Sequence, residues 1–113
     1  MHEDELLGSH RQELRRGTVV LACLLALREP GYGYGLLKTL EAVGMPSDGN
    51  TVYPLLRRLE ERGLLTSEWN TDESRPRKFY QTTPAGSALA TQLLSDMADL
   101  TASLGALNGG TDK

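Results

Sequence analysis

The 113-residue chain has one cysteine and two histidines, and no basic residue between Gln81 and Asp112. A single cysteine excludes an intramolecular disulfide and gives no sign of an oxidising compartment. Cys23 lies within the apolar run VVLACLLAL, where a small hydrophobe is expected and an activated thiolate is not. That run, Val19 to Leu27, falls far short of the ~20 apolar residues of a membrane helix. It ends in Arg28-Glu29-Pro30 rather than in small residues suited to cleavage, so a cytoplasmic protein is expected. His2 and His10 have no cysteine or acidic partner at ligand spacing, and no metal site is expected. No nucleophile with its base and no cofactor loop can be assembled, which argues against an enzyme and against a cofactor. GYGYG, Gly31 to Gly35, looks like a phosphate-cradling loop, but such a loop follows a strand and here an apolar helix precedes it.

The formal net charge is −3, which by itself disfavours a polyanionic partner. The layout tells more than the sum. Acids open the chain at Glu3, Asp4 and Glu5, whereas Arg57, Arg58, Arg62, Arg75, Arg77 and Lys78 cluster in the middle. Glu60, Glu61, Glu68, Asp72 and Glu73 share that region, so a basic face is one arrangement among several.

Asn50 to Leu65, NTVYPLLRRLEERGLL, organises the rest. As a helix it places Val52, Leu55, Leu56 and Leu59 at i, i+3, i+4 and i+7, a stripe that must be buried. Asn50, Tyr53, Arg57, Arg58 and Glu61 then point away from the stripe, and Gly63 stops the helix. Two long cations and a phenol on an open helix face suit phosphates and base edges, although a merely solvated face has the same composition. Periodicity leaves the directions of Arg57 and Arg58 open. Pro54 allows a start near Asn50, or one at Ser47 with a bend; the later start is favoured.

Taken in order, residues 1–9 read as a flexible acidic terminus, and a helix from about Gln12 to Arg28 reads as buried on most faces. Pro30 and Gly31 give a turn, and Leu36, Leu37 and Leu40 mark a second helix ending near Ala42. Leu65–Asn70 and Lys78–Thr82 read as two strands of a hairpin. Thr83-Pro84 caps a last helix in which Ala90, Leu93, Met97, Leu100, Leu104 and Leu107 are spaced 3, 4, 3, 4 and 3 apart, a heptad seam. The chain divides into the terminus, a helix-turn-helix unit with its hairpin over 10–83, the helix 84–108 and a tail 109–113. The fold expected is mainly α with a small β-hairpin wing: a winged helix-turn-helix followed by a dimerisation helix.

At LRRGTVVLACLLALREPGYGYGLLKTL (residues 14–40), NTVYPLLRRLEERGLL, SEW (67–69) and RPRKFYQTTPAGSAL (75–89), the chain resembles the PadR-like transcriptional regulators, in particular the compact subgroup with one helix after the wing. The resemblance implies a homodimer held by the last helix with help from the first, with each third helix in a major groove of double-stranded DNA. Two such helices on a two-fold axis stand ~34 Å apart and read an inverted repeat. It implies a repressor and an effector, protein or small aromatic compound, since some relatives bind flat aromatics near the dimer interface.

By position, Tyr53 of the Thr51-x-Tyr53-Pro54 pattern would meet a phosphate, with Asn50 and Thr51 near the groove floor. Arg57 and Arg58 would reach phosphates or a guanine edge, Tyr34 and Lys38 would brace the backbone, and Arg75, Arg77 and Lys78 would approach the minor groove. One of Phe79 and Tyr80 is expected in the core, and Trp69 is expected to pack under the wing. Gly35 departs from the family pattern, as does a wing that lacks the common glycine and carries Asp72 and Glu73. The competing reading is a winged helix used for protein contacts without specific DNA binding.

Overall fold

Acidic side chains favour the positive end of a helix, and Glu3, Asp4 and Glu5 occupy the first turn of α1, Glu3–Ala26. In the computed structural model, which describes residues 3–72 and 74–109, helix therefore replaces the frayed segment expected over residues 3–9. His2, Glu73 and the tail beyond Gly109 lie outside the described residues. Burial is confined to the C-terminal half of α1: Leu21, Cys23 and Leu24 are inside, while Leu6, Leu7 and Leu14 are exposed. Burial also raises the Cys23 thiol from 9.0 to about 11, which keeps it protonated and unreactive.

After Pro30 the chain forms β1, Gly31–Tyr32, where a simple turn was expected. The helix α2, Gly33–Ala42, buries Leu36 and Leu40. Its partner α3, Gly49–Glu61, starts close to the later of the two expected positions. Asp48 Oδ1 accepts the Thr51 N–H at 3.0 Å, satisfying one of the unpaired donors of the helix start. Val52, Leu55, Leu56 and Leu59 are buried as the spacing requires. Gly63 has φ +77°, and the Leu64 N–H reaches Leu59 O at 2.9 Å, so a left-handed residue closes the helix.

Strands β2, Leu65–Asn70, and β3, Arg77–Thr82, form the wing, and β1 adds to it in the antiparallel order β1-β3-β2. The last helix, α4, covers Pro84–Leu107. Thr83 Oγ1 accepts the Gly86 N–H at 3.0 Å and donates to Gly63 O at 2.7 Å, which ties the cap of α4 to the end of α3. Gly86 is required there, because a Cβ would stand 2.2 Å from Leu64 O. Arg28 adds side-chain ties: its guanidinium donates to Ser87 Oγ at 2.9 Å, Ser87 O at 2.9 Å and Thr91 Oγ1 at 2.8 Å.

The core joins α1, α2 and α3 with Leu65 of the wing and Ala90 of α4. Ala90, expected on the dimer seam, is instead fully buried in the chain's own core, and Leu93 packs at the core margin. The rest of the seam runs off the domain, with Leu100, Leu104 and Leu107 between 59% and 83% exposed.

Gly35 sits inside α2 and a Cβ there meets nothing within 4 Å. Gly35→Ala is therefore expected to stabilise the chain by about 1 kcal/mol, since glycine costs that much in a helix interior. The check is urea unfolding, in which the midpoint should rise at unchanged slope.

Candidate nucleic-acid interface

Taking 100° per residue from the buried stripe, Asn50, Arg57 and Glu61 lie on the side of α3 opposite the core, and all three are exposed. Arg58 and Thr51 fall on one flank. They line a cleft of about 790 Å³ between α3, the 45–48 turn and α1, which contributes Arg11, Arg15 and Arg16. Periodicity alone left the two arginines equivalent; the position of α1 separates them. Arg57 faces outward, and Arg58 faces the cleft.

Tyr53 falls on the other flank, towards the start of α2. Its ring is clasped by two glycines: a Cβ on Gly33 would lie 2.8 Å from it, and one on Gly49 2.7 Å. The glycines of GYGYG thus include one whose small size admits a tyrosine from the next helix, with Tyr53 left 37% exposed. This clasp sets the distance between the N-termini of α2 and α3. Tyr34 and Lys38 are exposed on α2, with Lys38 Nζ 5.3 Å from the Tyr34 ring centroid.

The wing presents two faces. On the outer one, the Arg77 guanidinium stacks 4.0 Å over the Tyr32 ring, which packs edge-on against Phe79 at 5.9 Å, and the Tyr32 hydroxyl accepts a 2.6 Å hydrogen bond from Asn70 Nδ2. Tyr80, on the opposite face, is the one of the adjacent aromatic pair that packs against the core. Beside it Lys78 Nζ lies 3.7 Å from Glu60 of α3, and the Ser67 hydroxyl donates to the same carboxylate at 2.5 Å. Lys78 is thus turned towards α3 and partly neutralised, unlike the exposed Arg75 near the wing tip. Asp72 is exposed there as well, its backbone N–H taken by Asn70 Oδ1 at 3.1 Å.

Trp69 corrects the expectation of a residue packed under the wing, because it is 63% exposed. Of its face of β2, only Leu65 reaches the core; Ser67 meets the polar Glu60, and Trp69 lies beyond that contact. Sequence reasoning also missed Glu60, Tyr32 and Arg28 as positioning groups. Their partners lie in other elements of the fold, so the spacing within any one element carried no signal of them.

Comparison with known proteins agrees with this arrangement. Residues 20–92 match the transcriptional regulator PadR-like family. Over 61 residues the chain is 41% identical to the transcriptional regulator Rv3488 of Mycobacterium tuberculosis; the match takes in 54% of this chain and 57% of that protein, so it spans little more than half the length of this curated relative. A PadR family transcriptional regulator from Eggerthella lenta has a TM-score of 0.88 at 46% identity, covering 92% of this chain and 93% of that one. PadR of Bacillus subtilis, solved in complex with operator DNA, shares the fold, with a TM-score of 0.62 at 21% identity over 67% of this chain and 46% of that one.

Proposed function

The chain belongs to the PadR-like family of transcriptional regulators, a family of regulators rather than enzymes, and on that basis we propose that it binds DNA sequence-specifically as a homodimeric repressor. The observation that carries this reading is the outward face of α3, where Asn50, Arg57 and Glu61 stand clear of the core on a helix capped by Asp48 and clasped at Tyr53. An arginine reads a guanine edge and an asparagine an adenine edge, whereas a phenol or lysine on the flank meets phosphates. Asn50, Thr51 and Arg57 are the base readers of this proposal. Tyr53, Tyr34, Lys38, Arg58, Arg75 and Arg77 hold the backbone, with Lys78 a weaker contributor because of Glu60.

A second copy of the chain covers Met97, Leu100, Leu104 and Leu107. It also covers the exposed Leu6, Leu7 and Leu14 of α1. The dimer would place two α3 helices on an inverted repeat about one DNA turn, ~34 Å, apart. An effector, a small aromatic molecule or a protein, would act by favouring one separation of the two helices over another.

The test is fluorescence anisotropy with DNA from upstream of the chain's own gene, against a scrambled duplex, at two salt concentrations. Preference for the first duplex is expected, with log K falling by ~0.9 per neutralised phosphate as log salt rises. Equal and salt-insensitive binding to both would favour a protein-docking module instead. Within that assay Tyr53→Phe, which keeps the ring between Gly33 and Gly49, should weaken binding to all sequences alike. Arg57→Ala should instead relax preference at one base pair by about 1–3 kcal/mol. Undiminished binding by Tyr53→Phe would remove the phosphate role from that residue.

A further inference from the structure

Trp69 is the chain's only tryptophan, and the fold gives its indole no place in the core. Side chains alternate along β2, so Leu65, Ser67 and Trp69 share one face. Leu65 is buried, Ser67 donates to Glu60 of α3, and Trp69 comes next, directly across from Lys78, whose ammonium reaches the same Glu60. The indole therefore stands at the outer edge of the notch between wing and α3, past the Ser67 tie to Glu60 and level with that of Lys78.

The neighbours select the occupant. An ammonium is paired with the indole across the strands, Arg75 is exposed near the wing tip together with Asp72, and Arg57 is exposed on α3. The acid of the notch, Glu60, is already engaged by Ser67 and Lys78. A protein-docking patch needs further apolar groups around its anchor, but here the next residues of the same face are Ser67 and Lys78, and Tyr80 behind them packs against the core. A DNA strand offers the matching alternation of anionic phosphate and apolar deoxyribose. We infer that Trp69 is a DNA contact, its indole lying against the sugar of the strand that separates the groove entered by α3 from the groove met by the wing. Its Nε1–H, the only donor of the side chain, is available to a phosphate of that strand. This inference rests on the DNA-binding reading above.

Because no other tryptophan contributes, emission excited at the red edge of the absorption, where the four tyrosines do not absorb, reports on this residue alone. Acrylamide quenching is measured with and without a saturating duplex from upstream of the chain's own gene, or one recovered from a randomised pool. Trp69 should become several-fold less accessible when DNA is bound. Trp69→Ala should weaken binding to all duplexes roughly five- to tenfold, and Trp69→Phe by less, in line with aromatic contacts to nucleic acid. Thermal unfolding of both variants should match the parent, as the side chain is exposed. DNA binding by the parent with Trp69 still fully quenchable, and equal affinity in Trp69→Ala, overturns the inference and leaves the DNA-binding reading standing. A parent chain that binds no duplex from either source overturns both.

Discussion

Replacing Gly86 by alanine should cost the chain about 3 kcal/mol or more, the upper range for forcing a group into filled space. The added Cβ would lie 2.2 Å from Leu64 O and 2.8 Å from Thr82 Cγ2. Neither neighbour can move away easily. Leu64 O accepts the Thr83 N–H at 3.1 Å, while the Thr82 hydroxyl donates to Leu24 O at 2.7 Å and its N–H to Leu27 O at 2.8 Å. Relief would have to come from α4 itself, at the expense of its cap on Thr83 and its ties to Arg28. In urea unfolding followed by circular dichroism the midpoint should collapse, or the variant should be unfolded from the outset. Gly35→Ala, the same chemical change in an open helix position, is expected to move the midpoint the other way. A Gly86→Ala chain as stable as the parent would mean that α4 does not approach the end of α3 this closely.

Leu100→Asp should produce a folded monomer. Leu100 is 59% exposed in the protomer, so its replacement removes little from the protomer's own packing. In the proposed dimer it is central to the seam, where an unpaired carboxylate would be desolvated at a cost of several kcal/mol. Light scattering should show half the parent mass at unchanged helical content. Operator affinity should fall steeply too, because the two half-sites would no longer be bound by one particle. An unchanged dimer would move the interface away from α4.

The elements that could be read from the sequence were those whose signals are local and repeated. The α3 stripe declared itself through four apolar positions at helical spacing, and Thr83-Pro84 through cap chemistry within three residues. Strand β1 was invisible because two residues carry no period, and its partner Phe79-Tyr80 lies far along the chain. The heptad pattern of α4 was real, but pattern cannot tell which surface covers it: Ala90 turned out to serve the protomer's own core. The same holds at the interface. Arg57 and Arg58 could be told apart only once α1 was in place, and Gly33 explained only by the ring of Tyr53. An exposed Trp69 was missed because burial is the ordinary fate of a large aromatic, and only the limited reach of the core shows otherwise.

The ties between α4 and the rest of the protomer, namely Gly86 at the Leu64 carbonyl, Ser87 and Thr91 on Arg28, and Ala90 in the core, all fall within its first turns. Mechanically the remaining turns form a cantilever. The turns beyond Thr91 extend ~24 Å at ~1.5 Å per residue, so a pivot of about 5° at the clamp swings the free end by roughly 2 Å, more than half the ~3.4 Å rise of one base step. In a two-fold assembly joined through such arms, a tilt too small to disturb any contact at the root becomes a register error at the DNA.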